Sequence, residues 1–411
     1  MSHFQSHDAM YRARVGLAPG PVFAVLGILS AIYFAITGTV WAVTGEFTRL
    51  GGHVVQWFGA DAQSWQYYRE VTTLDGSPLD RTDGWIVIAM LTGSLIAALY
   101  SGDFRFRMPP LKRRFAQALA GGIIAGFGAR LAYGCNLAAL FTGVPQFSLH
   151  AWIFTAATAL GTLVGVKVIR QRWWRGPTRP VPVTPGKSAA PADAGKKKMT
   201  HRTIAAIVVA TLLVAVIMYL STGHGMLSTA ILFGTVFGIL IQRGQICFTA
   251  AFRDLWVTRK TKLNDALIIG LAAAVITTWL VLQIGGMPPI SKPAGIGTVI
   301  GGLMFGIGII MAGACETGMM YRAMEGQIVA VVAFIGNIVG ATVLAYGWDH
   351  WSIHDTLVAA SPTFNFFEAW GPWPALLFSL ALLGVWWLAA TPLRRSRKDR
   401  VHESTRMELV R

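Results

Sequence analysis

The chain has 411 residues, 54% of them hydrophobic and 13% charged, with 35 Lys and Arg against 19 Asp and Glu. Soluble domains carry about a quarter charged residues, so this composition excludes an ordinary soluble globule and points to a protein embedded in a bilayer. The net charge of +16 is gathered into alternate loops, which makes it a topology signal and excludes nucleic acid as an expected partner.

Ten predicted spans follow in chain order. The first apolar run, 21–43, is too long for a signal-peptide core and lacks a convincing small-residue cleavage site, so it is read as a retained span. The segment 45–83 carries three basic and six acidic residues and reads as an external loop with room for short structure. Spans at 84–101 and 115–134 flank a loop, 102–114, with five basic residues and one acid. After the span 151–170, the stretch 167–202 holds ten Lys and Arg and one acid, Asp193. Its part 171–202, rich in Pro, Ala, Gly and Lys, reads as a flexible cytoplasmic linker. Further spans are predicted at 203–220, 227–242, 264–285, 297–314, 328–346 and 373–391. The segment 347–372 has no Lys or Arg, whereas the tail 392–411 has seven basic residues against three acids. A cytoplasmic N-terminus, marked by Arg12 and Arg14, then puts every basic loop inside and returns the C-terminus to the cytoplasm. The organisation expected is a first membrane half, 1–170, the linker 171–202, a second membrane half, 203–391, and a cytoplasmic tail, 392–411.

The two halves share a pattern. "GGIIAGFGARLAYGC" at 121–135 aligns without a gap to "GGLMFGIGIIMAGAC" at 301–315, with six of fifteen positions identical. A weaker match pairs "VTGEFTR" (43–49) with "FTAAFRD" (248–254), and places Ala42 opposite Cys247. Five spans separate each pair of partners, so the second copy runs in the opposite direction. The expected fold class is therefore an all-α polytopic membrane protein with an inverted-topology repeat, broken or re-entrant short helices and a central constriction. Close helix packing accounts for Gly121, Gly122, Gly126 and Gly128. It does not explain why both copies end in a cysteine followed by a polar residue, Asn136 or Glu316.

Three stretches carry candidate chemistry: "GARLAYGCNLAALFTG" (128–143), "QRGQICFTAAFRD" (242–254) and "AGACETGMMYRAMEGQ" (312–327). Each holds one of the three cysteines, Cys135, Cys247 and Cys315, and an arginine near it, Arg130, Arg253 or Arg322. Asn136, Thr249, Glu316 and Thr317 are the adjoining polar candidates. Each interruption is too polar and too short for an ordinary span, and irregular backbone at membrane depth is tolerated only inside protein or beside a wet cavity. An odd number of cysteines in apolar segments makes no disulfide framework, so reduced thiols are expected. A thiol is soft, a weak donor and a weak acceptor, and suits a ligand with a sulfur or selenium atom. The arginines fit either anion contact or structural pairing with Asp254, Glu316 and Glu325. No CxxC spacing, GxSxG or Walker A sequence is present and the histidines lie mostly in tails and loops, so no metal, hydrolase chemistry, cofactor or ATP hydrolysis is expected.

These stretches, with "WAVTGEFTR" (41–49) and "SLHAW" (148–152), resemble the signatures of the YeeE/YedE family of bacterial inner-membrane proteins, along almost the whole chain. The resemblance is strongest to the YedE branch, named for selenium metabolism. It implies an hourglass-shaped helical protein that takes up a small sulfur compound, thiosulfate in the sister branch. It also implies that motif cysteines line the constriction and pass the substrate by S–H···S contacts; carried over by motif, these are Cys135, Cys247 and Cys315. Ala42, where the repeat would place a fourth cysteine, departs from full symmetry.

The function expected is uptake of a small sulfur- or selenium-containing anion across the inner membrane, without enzymatic turnover. The alternative is a membrane sulfurtransferase or persulfide carrier that delivers sulfur or selenium to a cytoplasmic acceptor protein. A third reading is a partner-binding membrane protein docked through its basic linker.

Overall fold

The protein is described here by a computed structural model that covers residues 17–171, 174 and 191–392, with 191–198 described by backbone alone. Arg12, Arg14, most of the predicted linker and all but the first residue of the predicted tail lie outside the described residues. Among the described residues the structure is helical, and pairing between extended segments is limited to isolated bridges such as Arg107–Gln327 and Ser148–Asn365.

Among the described residues ten helices are long and apolar enough to cross a membrane. Helices close their backbone hydrogen bonds within the segment, which hydrocarbon demands. In chain order the first elements are α1 (Pro19–Thr37), α2 (Thr44–Trp57), α3 (Gln66–Glu70), α4 (Thr82–Ser101) and α5 (Arg113–Leu131). A π-helical turn (Asn136–Phe141) leads to α6 (Leu149–Ile169) and α7 (Pro191–Ser221). The later elements are α8 (Gly225–Gly244), α9 (Phe248–Val257), α10 (Lys262–Gly285), α11 (Ile296–Ala312) and α12 (Glu316–Met324). The chain ends in α13 (Ile328–His350), α14 (Ile353–Leu357), α15 (Phe366–Trp370) and α16 (Pro372–Ala389).

Two expectations shift. The first span ends at Thr37 rather than at residue 43, because Gly38 adopts φ 70° and caps α1 by donating to Phe34 O. Glycine takes this left-handed conformation without steric cost. Residues 191–202, expected in the flexible linker, are helical and run straight into the fifth span; Ala and Lys in that stretch are good helix formers.

The main packings are α5 on α13, α4 on α8, α11 on α6, α5 on α11, and α1 on α10. The crossing of α5 and α11 is backbone against backbone. A methyl added at Gly128 would lie 2.6 Å from Gly301 O, and one added at Gly301 would lie 2.6 Å from Gly128 O. Gly121 and Gly308 approach each other in the same way. Membrane helices gain no hydrophobic drive from lipid, so small residues that allow close contact hold them together. The stretch through α5 and the π-turn is the most enclosed of the ten spans.

Gly128→Leu is expected to overpack this crossing at a cost of roughly 1–3 kcal/mol. It should lower the thermal unfolding midpoint in detergent, while Gly20→Leu, which faces open space, should leave it unchanged.

Candidate functional site

Four long helices stop short at a left-handed residue: α1 at Gly38, α5 at Tyr133, α8 at Gln245 and α11 at Gly313. The chain then runs through extended backbone into a short helical element. In three of the four breaks the residue that begins the short element is a cysteine. Cys135, Cys247 and Cys315 each occupy the N-cap, of the π-turn, α9 and α12 respectively, with extended backbone. Their carbonyls accept the first bonds of those turns, from Ala139, Ala250 and Met319. The side chains therefore sit at the positive ends of short helices. All three thiols are free, buried and part of one packed cluster.

The cysteines fall into two neighbourhoods. Cys247 and Cys315 are neighbours at Gly318 of α12. Their sulfurs lie 3.1 and 3.6 Å from the point where a side chain at Gly318 would begin, so glycine leaves room for the pair. Cys135 faces Glu316, together with Thr44 from α2. Glu316 in turn faces Asn337 of α13 and senses the charge of Arg130.

This second neighbourhood is polar and unsatisfied. Glu316, Asn136, Asn337 and Thr44 are each at most 1% exposed. Neither oxygen of Glu316, neither polar end of Asn136 or Asn337, and not the Thr44 hydroxyl has a partner at hydrogen-bonding distance. Thr249 Oγ1 is likewise buried without a partner, and Thr317 is buried beside Glu316 in the first turn of α12. Buried polar groups are normally paired, and a group left unpaired costs about 1–3 kcal/mol. Glu325 shows the contrast. It is equally enclosed, but accepts from Gln242 (3.1 Å), Gln245 (2.6 Å) and Gln327 (3.1 Å), and pairs with Arg107 at 3.8 Å. Glu325 is a structural tie between α8, α12 and the loop after α4.

The three arginines separate. Arg130 is buried; its Nη1 donates to Tyr67 Oη at 3.3 Å, and its Nε has no partner. Arg322 donates to Gly313 O at 2.9 Å and to Tyr321 Oη at 3.1 Å, and its charge reaches both Cys247 and Cys315. Arg253 is 40% exposed, pairs with Asp254 at 2.9 Å and stands apart from the cluster. Of the expected ion pairs, only Arg253–Asp254 forms a contact.

Sequence reasoning misses Thr44, Asn337 and Lys292. Thr44 aligns with Thr249 in the weaker of the two sequence matches, and Asn337 is a lone amide within an apolar span; both were signals in the chain. Lys292 lies in the irregular segment between α10 and α11, where only the tertiary fold brings it to the end of α5: its Nζ donates to Tyr133 O at 2.7 Å. A cavity of about 390 Å³ elsewhere, lined by residues such as Trp152, Phe252 and Trp386, is apolar and touches none of the three cysteines. Among the described residues no three His, Cys, Asp or Glu side chains are grouped to hold a metal ion.

Residues 12–164 and 243–410 match a protein-family model described as sulphur transport. The chain is 45% identical to the probable transporter YedE of Escherichia coli and 44% identical to that of Salmonella typhimurium; each match spans 366 residues, 89% of this chain and 90% of the relative. It is 32% identical to the thiosulfate transporter TsuA of Spirochaeta thermophila over 189 residues, 42% of this chain and 57% of that protein.

A trivalent arsenical bridges two thiols only when they are neighbours. Phenylarsine oxide is expected to add once to the unfractionated protein, across Cys247 and Cys315, as read by intact mass. Cys247→Ala and Cys315→Ala should each abolish stable addition, and Cys135→Ala should keep it.

Proposed function

We propose, for a chain that belongs to the YeeE/YedE family of sulphur-transport proteins, that it carries a small oxyanion of the thiosulfate class through a constriction lined by Cys135, Cys247 and Cys315. Its family makes it a multi-pass membrane protein of sulfur-compound transport; the thiol-lined path and its direction are the proposal. The observation that carries the reading is the meeting of three N-cap thiols with buried polar side chains, Glu316, Asn136, Asn337 and Thr44, that face one another without forming close hydrogen bonds.

An anion entering hydrocarbon without help faces a cost on the order of tens of kcal/mol. The unsatisfied amides and hydroxyls of Asn136, Asn337 and Thr44 take the place of water around the oxygens. Cys135 and then the Cys247–Cys315 pair meet the terminal sulfur. Thiol contacts are weak, so they bind without trapping, as conduction requires. Selenium is larger and softer than sulfur, and an analogue of the same shape passes by the same contacts. The charge of Arg130 reaches Glu316, which faces Cys135, and that of Arg322 reaches Cys247 and Cys315, so each thiol neighbourhood has a cation near it.

The same packing supports an inverted repeat. Matching α1–α4–α5–α6 to α8–α10–α11–α13 exchanges the packing of α5 on α13 with that of α11 on α6, exchanges α4 on α8 with α10 on α1, and returns the α5–α11 crossing to itself. Equivalent glycines meet in that crossing, Gly121 with Gly308 and Gly128 with Gly301. Basic loops set the orientation: the inner membrane, with cytoplasmic termini and Arg130 facing outward.

The Cys247–Cys315 contact favours one further reading, a persulfide carrier. A thiolate would attack the outer sulfur of thiosulfate, forming Cys–S–S and releasing sulfite. That predicts an adduct of about 32 mass units on one cysteine after exposure to thiosulfate; plain passage leaves the protein mass unchanged.

Labelled thiosulfate should enter vesicles containing the protein. Loss of one S–H contact worth about 1 kcal/mol should slow initial uptake roughly fivefold to tenfold in Cys247→Ala or Cys315→Ala. Arg253→Gln should retain the wild-type rate. Unchanged uptake in all three single Cys→Ala variants would remove the thiols from the path.

A further inference from the structure

α12 has a glycine, Gly318, three residues after its N-cap Cys315. The other two turns that start at a cysteine have alanine in that place, Ala138 after Cys135 and Ala250 after Cys247. Alanine is the better helix former, because glycine loses more backbone freedom on folding. Gly318 is also free of the left-handed conformation adopted by Gly313 before this helix and Gly326 after it. Its backbone therefore gives no reason for glycine.

Close helix crossing gives none either. A methyl added at Gly121, Gly122 or Gly126 would first meet the backbone of a neighbouring helix. At Gly318 the three nearest atoms all belong to side chains: Ala314 Cβ and Cys247 Sγ at 3.1 Å, and Cys315 Sγ at 3.6 Å. Heavy atoms that are not bonded rest about 3.5–4.0 Å apart. A methyl here would touch both sulfurs and press on that of Cys247. The place where alanine would put its methyl is thus the place from which a single atom reaches both thiols.

We propose that Gly318 is a specificity residue of the thiol pair: its missing side chain sets the room beside Cys247 and Cys315, and so the size of the soft terminal atom that the pair accepts. The proposal rests on the transport reading above and assigns the space in which one sulfur or selenium atom meets two thiols at once. Selenium is larger than sulfur, so narrowing this space penalises a selenium-tipped anion more than its sulfur analogue. The oxygens make the same contacts in either anion, and the difference belongs to the soft atom.

The test compares initial uptake of labelled thiosulfate and selenosulfate in proteoliposomes, alongside binding of both anions to the purified protein by calorimetry. An extra methyl in a fitted pocket shifts discrimination at least tenfold, so Gly318→Ala should raise KM about tenfold for thiosulfate and about thirtyfold for selenosulfate, with binding weakened in the same order. Adding Gly318→Ala to Cys247→Ala, which removes the sulfur under pressure, should cause no further rise. Ala314 is as close as Cys247, and Ala314→Gly removes that second neighbour. Gly318→Ala in the Ala314→Gly background gives a folded protein even where the single variant fails to fold, and the same two rises should be read in it. An unchanged KM ratio between the two anions would overturn the specificity role while leaving transport standing. So would recovery of Gly318→Ala by Ala314→Gly, or a full effect of Gly318→Ala beside Cys247→Ala, since either assigns the glycine to the local chain turn. Binding that discriminates by size through Gly318, in a wild type that carries neither anion, would keep the specificity role and overturn the transport reading.

Discussion

Backbone that leaves the helix inside a bilayer must be enclosed by protein, and this constraint organises the molecule. Breaks follow α1, α5, α8 and α11, and each exposes carbonyl and amide groups that lipid cannot satisfy. The enclosure comes from helices that approach to backbone contact, through Gly121, Gly128, Gly301 and Gly308. Without that approach the breaks would face lipid. With it, short helices can start in the interior, and their first residues point into a common space. Placing cysteine at three of those starts converts a packing solution into a chemical surface.

The interior contains two kinds of buried polarity. Glu325 is saturated by three glutamines and an arginine, and Glu46 is held by Arg49 and Arg81 at 3.2 and 2.9 Å. These are ties between elements. Glu316, Asn136, Asn337 and Thr44 are as deeply buried and have no such partners. Unpaired polarity at that depth is costly, and the proposed passage of an oxyanion accounts for its retention. In the proposed path the thiols supply soft contacts where the amides and hydroxyls supply directional ones.

The spans were legible because apolar length and loop charge are strong, local signals: the helices at 82–101, 262–285 and 328–350 begin within two residues of expectation. Breaks were legible where a cysteine and a polar residue interrupted an apolar run, as at Cys135–Asn136 and Cys315–Glu316. The break before Thr44 was hidden, since Val40 to Val43 is itself apolar and only Gly38 marks the stop. The sequence also placed Arg253 beside the other arginines by spacing from a cysteine. Its position on the last turns of α9, where it meets Asp254 at the surface, depends on the direction in which that short helix emerges. Lys292 belongs to the site by tertiary contact alone, and no periodicity in the chain around it carries that information.

A passage lined by thiols requires that a soft atom be found among them. Selenosulfate, the selenium analogue of thiosulfate, carries an atom whose anomalous scattering locates it without ambiguity in crystals of the protein. Selenium density in contact with the sulfurs of Cys247 and Cys315, with the oxygens toward Asn136 and Asn337, is the expected result. Selenium confined to the apolar cavity beside Trp152 and Trp386, with the thiols and amides unvisited, would contradict a path between the broken helices.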